Sequence, residues 1–189
     1  MLKFEDNPPL LSPRLRSVRD AEGPWWVAHT RSRFEKAFCH DLIRADVPHF
    51  LPMTENRIFS GKRKRRLMVP LFPSYVFFAG QAPEHAAALA TGRVCQILPI
   101  ADQAKFIDEI ALIERVLASG EEIRPYPTPA LGERCRITAG PFMGVEGTVV
   151  NLRPKAQLVL SISVLGRGAL LEIDHNELEI VSHARSETA

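Results

Sequence analysis

Three prolines at alternate positions, Pro125, Pro127 and Pro129, fall where the hydrophobic period of this chain changes. Each ring fixes φ and removes a backbone donor, so residues 121–130 cannot be helical and must run extended. Upstream, apolar residues recur at helical spacing. Downstream, Leu158, Leu160, Ile162 and Val164 share one face with Ser161 and Ser163 between them, the period of a half-buried strand. A chain of 189 residues accommodates two such small units. The expected organisation is a flexible arm at 1–23, a domain at 24–120, a linker at 121–130, a barrel at 131–182 and a flexible tail at 183–189. The arm is expected to be flexible because Pro8, Pro9 and Pro13 interrupt it and no periodicity supports a core.

Composition narrows the class. Hydrophobic residues make up 46% and charged residues 24%, with a mean hydropathy of -0.06, as in soluble globular proteins. The longest apolar stretch, residues 67–80, contains Pro70 and Pro73 and is too short to span a bilayer core of roughly 30 Å. The first two dozen residues mix charges of both signs without an apolar core, so no secretory signal is expected. Cys39, Cys95 and Cys135 are widely spaced and odd in number, which points to neither a disulfide framework nor a zinc site. The expected compartment is the cytoplasm, with no membrane partner, metal or cofactor. A net charge of +2 is too mild to decide on nucleic-acid binding, so the placement of charge matters more than its sum.

The first unit alternates strand and helix. Trp25 to Thr30 has the aromatic and β-branched content of a strand. Ser32-Arg33-Phe34-Glu35 has the form of a capping box, which predicts a helix from about Ser32 with Phe34, Phe38, Leu42 and Ala45 on its apolar stripe. Pro48 stops it. Residues 49–59 read as a strand entering a hairpin that turns at Ser60-Gly61-Lys62, and residues 67–79 as the return strand. A short helix at 83–89, a strand at 94–100 and a longer helix capped by Asp102 follow; Phe106, Ile107, Ile110, Ile113 and Leu117 line that helix and Gly120 ends it. The fold class is α+β: an α/β sandwich with an antiparallel sheet, then a small five-stranded SH3-like β-barrel.

The barrel carries the most specific motif, the run from Gly132 to Val150 containing Gly140-Pro141-Phe142-Met143-Gly144-Val145-Glu146-Gly147. Gly140, Gly144 and Gly147 supply backbone freedom for a tight turn, and Pro141 fixes its start. Phe142 either stands at an exposed tip or plugs the barrel end, and the residues leave both open. This run resembles the KOW motif. Together with Trp25 to Thr30, Phe50-Leu51-Pro52-Met53 and Pro70-Leu71-Phe72-Pro73-Ser74-Tyr75-Val76-Phe77-Phe78, it resembles the NusG family of transcription elongation factors across residues 25–181. Ser74 and the hairpin at Ser60-Gly61-Lys62-Arg63 make the first domain similar to specialised RfaH-like paralogues, while the barrel resembles the general factor. Housekeeping and operon-specific roles both stay open.

The resemblance implies a factor that binds the β′ clamp helices of RNA polymerase, spans the cleft towards the β lobe side and modulates pausing, termination or antitermination. It places Phe72, Tyr75, Phe77 and Ile97 at the polymerase pocket, and Arg31, Arg33, Lys36, His40 and Arg93 towards the non-template DNA strand. It places Phe142, Met143, Ile162 and Arg167 at the surface where the barrel takes a partner, Rho or a ribosomal protein. Read without the resemblance, the aromatic stretch 72–77 is too rich to be wholly interior, and Trp25 packs inside. On a helical wheel Arg33, Lys36, His40 and Arg44 share a side opposite the apolar stripe. The five consecutive basic residues 62–66 form either a solvated hairpin or a phosphate contact. Cys39 and His40 are helix neighbours that point apart, and no nucleophile, phosphate loop or paired-carboxylate motif appears, so no enzyme is expected. A monomer is expected. The alternative is a ribosome-associated RNA-binding KOW protein, disfavoured because acidic residues outnumber basic ones on the barrel. Period-two alternation and β-branched residues also predict that this region is a constitutive β-barrel, not a helical hairpin.

Overall fold

The computed structural model describes residues 6–60, 63–126, 132–151 and 155–182. The chain divides into two units, 1–107 and 108–189.

In the first unit, strands β1 (Trp25–Thr30), β2 (His49–Phe50), β5 (Tyr75–Ala79) and β6 (Val94–Leu98) form an antiparallel sheet in the order β2-β5-β1-β6. β3 (Met53–Ser60) and β4 (Arg63–Pro70) pair as a separate hairpin in which Met53 lies opposite Pro70 and Ser60 opposite Arg63. Helices α1 (Glu35–Arg44) and α2 (Ala82–Ala90) complete the core, and α3 (Gln103–Ser119) runs through the division between units. Register fixes the two faces of the sheet, since alternate residues of a strand point to opposite sides. Ala28, Val76 and Phe78 belong to a buried cluster with Phe38, Cys39 and Leu42 of α1. Val27, Phe77 and Phe50 are paired on the other face, where Phe106 meets Phe77 edge to face with ring centroids 5.4 Å apart.

Pro83 in the first turn of α2 and the Asp102 carboxylate, which accepts from the Lys105 N–H at 3.0 Å, set the helix starts the sequence indicates. α1 begins differently. Phe34 is its N-cap and lacks a side-chain cap bond, Arg33 before it has φ +67°, and the stripe consists of Glu35, Phe38, Cys39 and Leu42. Phe34 and Ala45 stay exposed. The Glu35 carboxylate does not close a box on Ser32: it is buried and accepts from the Ser74 backbone N–H at 2.7 Å. Ser74 needs that anchor because it stands at φ +69° in the turn before β5.

Residues 6–23 are not a loose arm. The Ser12 N–H donates to the His49 carbonyl at 2.9 Å, the Leu51 N–H donates to the Leu10 carbonyl at 2.7 Å, and Leu11 bridges Phe50. The segment thus pairs with β2, the edge of the sheet. Leu10 packs on the core cluster, Val18 is fully buried, and Ser17 and Asp20 close a capping box around a short 3-10 turn. Periodicity fails to reveal the segment because it packs through single residues between prolines. Beside it His49 is buried, and desolvation holds its imidazole below the ordinary value of 6.5.

In the second unit, β8 (Glu133–Ile137), β9 (Glu146–Asn151), β10 (Ala156–Ile162), β11 (Arg167–Ile173) and β12 (Leu178–Ser182) follow the order β12-β8-β9-β10-β11, the five strands expected of the barrel. A sixth, β7 (Ile123–Tyr126), pairs with β11 along its free edge, with Pro125 opposite Ala169. The extended reading of this stretch therefore holds and the linker reading does not. An edge strand tolerates proline because its outer side needs no donor. Residues 127–130, the rest of the expected linker, residue 131 at the expected start of the barrel, and the tail 183–189 lie outside the described residues, as does the turn at 61–62. Gly140 and Gly144 have φ +76° and +86°, but Gly147 serves closeness: a Cβ there would meet Leu158 Cγ at 2.7 Å and the Val159 carbonyl oxygen at 2.8 Å.

Two measurements probe these local arguments. Left-handed backbone costs a non-glycine residue roughly 1–2 kcal/mol, partly offset by glycine's larger unfolded-state entropy, so Ser74→Gly should raise unfolding free energy by about 0.5 kcal/mol in urea titrations. For His49 the unfolded chain takes up the proton first as pH falls, so stability is full above about 6.5 and declines below it. His49→Gln should flatten that part of the stability profile.

Candidate functional site

The candidate DNA-facing residues gather at the end of β1 and the start of α1. A register shift between His29 and Thr30 ends the regular β1–β6 ladder, and the Arg31 N–H donates to the Arg93 carbonyl at 3.0 Å. Arg31 and Arg33 are exposed. Arg33 lies in the turn before α1, so the helical wheel does not describe it.

The other three cations are engaged. Arg93 pairs through Nε with the Asp41 carboxylate and stacks its guanidinium 5.5 Å from the centre of the Phe34 ring. Asp41 also accepts from Arg44 at 2.7 Å. Lys36 Nζ donates to Asn7 Oδ1 and to the Met68 carbonyl of β4, both at 2.5 Å, and burial lowers the pKa of its ammonium. His40 Nε2 lies 3.3 Å from the Asp6 carbonyl. Asp41, Asn7 and Asp6 are neighbours of these candidate residues that the sequence reading missed. Asp41 stands at i-3 to Arg44, a spacing that could have revealed it; nothing local points to Asp6 or Asn7.

The four residues assigned to the polymerase pocket do not share one exposed surface. Phe72 and Phe77 are buried, 6.0 Å apart between ring centroids, and Phe50 stacks on Phe77 at 6.2 Å. Phe72 and Phe77 are interior, since Phe50, Phe72 and Phe106 surround Phe77, while Tyr75 keeps the stretch from being wholly buried. Ile97 lies opposite Ala28 and packs against the core cluster on the other face of the sheet. Tyr75 and Ile97 are partly exposed, on opposite faces; the Tyr75 ring stacks on His29 at 5.0 Å, and Gln96 follows across β6 in the same row. Trp25 is buried as expected.

On the barrel, Phe142 is 3% exposed whereas Met143 is 64% exposed, so the turn presents methionine and buries phenylalanine. Ile162 is also buried and Arg167 is half-buried. Within this unit the Glu109 carboxylate accepts from the Ser163 N–H at 2.9 Å and from its hydroxyl, and Arg115 Nη2 donates to the Pro141 carbonyl at 2.5 Å. These contacts and β7 tie residues 108–126 to the barrel, which places the division of units within α3. Two barrel arginines are neutralised by one carboxylate: Arg134 bonds Glu146 at 2.9 Å and Arg136 bonds it at 2.6 Å. The bond from Arg136 holds the Glu146 carboxyl below its ordinary range.

Chemistry is otherwise sparse. Burial raises the Cys39 thiol well above its usual pKa, and no group of three His, Cys, Asp or Glu is placed for a metal among the described residues. No described helix is long and apolar enough to cross a membrane.

The family model described as "Transcription termination factor nusG" matches residues 23–116. The transcription termination/antitermination protein NusG of Escherichia coli K12 is 33% identical over 175 residues, covering 82% of this chain and 94% of that protein. The chain belongs to the NusG family. The NusG of Pseudomonas aeruginosa is 25% identical and covers 83% of this chain and 98% of that protein. A solved structure titled "Domain interaction in Thermotoga maritima NusG" shares the fold, with a TM-score of 0.52 at 20% identity over 84% of this chain and 97% of that one. These relatives make the chain a transcription termination/antitermination factor by family. The NusG model begins at residue 23, so the segment paired with β2 stands outside it.

The burial of the aromatic positions separates their mutants. Phe77→Ala should cost about 3–5 kcal/mol of stability through loss of a packed core ring. Tyr75→Ala should cost less than about 1 kcal/mol, as for a partly exposed side chain, and denaturant unfolding of the two variants measures the difference.

Proposed function

We propose that this chain acts as a non-catalytic elongation factor, binding the clamp helices of RNA polymerase through its first domain and recruiting Rho or a ribosomal protein through its barrel. The family match carries the reading, since it joins a NusG domain and a KOW-like barrel in one chain. Tyr75 and His29 form the polymerase-facing row, with Phe72 and Phe77 supporting it from inside and Ile97 from the opposite face. Arg31 and Arg33 face the non-template strand. A factor that touches both sides of the cleft favours the closed clamp, which shifts the population away from paused states. Met143 is the exposed contact of the barrel turn, and Phe142 sets its position. The pairing of Arg134 and Arg136 with Glu146 leaves less basic surface on the barrel, which favours a protein partner over RNA.

Transcription with purified polymerase tests this. Tyr75→Ala should weaken polymerase binding by about 1–3 kcal/mol, as interface aromatics do. Arg31→Glu with Arg33→Glu should reduce crosslinking to the non-template strand and lessen pause suppression while polymerase binding persists. Capture of ribosomal subunits and RNA in place of polymerase would overturn the reading.

A further inference from the structure

The segment outside the NusG match ends on the basic face of α1. Its base is fixed: Leu10, Leu11 and Ser12 continue the sheet beyond β2, and Leu10 packs into the core. Its tip is polar. There Asn7 Oδ1 takes one bond of the Lys36 ammonium, and the Asp6 carbonyl lies against His40. Lys36 and His40 stand one helical turn apart on α1, about 6 Å along its axis, and Arg33 precedes them by one short turn. The two exposed arginines and the two engaged cations are therefore neighbours in sequence, and the residues that separate their behaviour are Asp6 and Asn7.

We propose that Asp6 and Asn7, ahead of the buried Pro8, form a displaceable strap over Lys36 and His40, and that a single DNA strand engaged by Arg31 and Arg33 competes with the strap for these two cations. The inference rests on the nucleic-acid reading of this face. The competition is chemically unequal. A phosphate oxygen is a charged acceptor and adds to its bond with the ammonium a direct charge–charge attraction that a neutral amide oxygen such as Asn7 Oδ1 lacks. An anion also offsets the desolvation that lowers the Lys36 pKa, which the neutral amide does not. The Met68 carbonyl can keep its bond to Lys36 throughout, so the lysine changes one partner and stays in place. Pairing at Leu10 to Ser12 confines the exchange to the tip.

The test is titration of a fluorescent single-stranded DNA oligonucleotide of mixed sequence at low and moderate salt. Deleting residues 1–7 removes the tip and keeps the bonds at Leu10 and Ser12. Affinity should rise about 3–10-fold, and the dependence of log affinity on log salt should steepen by about 0.7 for each added phosphate contact. The deletion also alters charge, so the neutral substitution Asn7→Ala is the decisive partner and should raise affinity by about 2–3-fold; it also preserves the test if the deletion does not fold. Unchanged or weaker binding in Asn7→Ala overturns the strap. Arg31→Glu with Arg33→Glu in the full chain separates the two failures. If that variant loses binding while Asn7→Ala has no effect, the strap alone is wrong; if it binds as the parent does, the nucleic-acid reading fails and the strap with it.

Discussion

The run Tyr75-Val76-Phe77-Phe78 in β5 imposes the constraint around which the first unit is built. Successive residues of a strand point to opposite faces, so large apolar side chains at consecutive positions demand cover on both sides of the sheet. α1 supplies one cover with Phe38 and Leu42, and Phe50, Phe72 and Phe106 supply the other. With both faces used, function is left to the ends of strands and the turns between them. Tyr75 is the first residue of β5, where this cover stops, and Arg31 follows the last residue of β1. The Glu35 carboxylate joins these regions: it stands at the start of α1 and holds the Ser74 N–H in the turn that leads into β5.

Elements governed by a period were legible in the sequence. Apolar positions at helical spacing, the proline and aspartate helix starts and the alternation in β10 reveal the order of helices and strands and the change from one unit to the next. What escaped was decided by single tertiary contacts. Ser32 and Glu35 have capping-box spacing, but the carboxylate has a better use satisfying a buried turn, and the helix starts three residues later. Residues 6–23 have no period because an isolated bridge and one buried valine need none. Phe77 looks surplus to a core in the sequence because its partner Phe106 lies 29 residues away, beyond any local pattern.

The barrel teaches the same lesson about glycine and proline. Its motif is recognisable from spacing, yet its glycines answer to different demands: Gly140 and Gly144 to a left-handed backbone, Gly147 to the approach of Leu158 and Val159. Prolines that forbid helix do not forbid regular structure, since an edge strand requires only an extended backbone and half of its donors. The turn after Ile137 resolves the two possibilities for Phe142 by exchanging roles with its neighbour. Phenylalanine is buried and Met143, flexible and polarisable, meets solvent.

Charge was the least legible property, because a formal charge says nothing about what already binds it. Five basic positions converge near the start of α1, but Arg93 is committed to Asp41, Lys36 to Asn7 and Met68, and His40 to Asp6. The family fold determines where these cations stand. Asp41 and Met68 inside the matched region, and the Asp6 carbonyl and Asn7 amide outside it, determine which of them meet solvent. A polyanion therefore encounters Arg31 and Arg33 first, two charges on a short exposed turn, and such contacts confer little sequence preference since they address phosphate and not base edges. On the proposed reading, selectivity among nucleic acids at this face would come from shape, from what the polymerase presents beside Tyr75, or from how readily a given strand displaces Asn7.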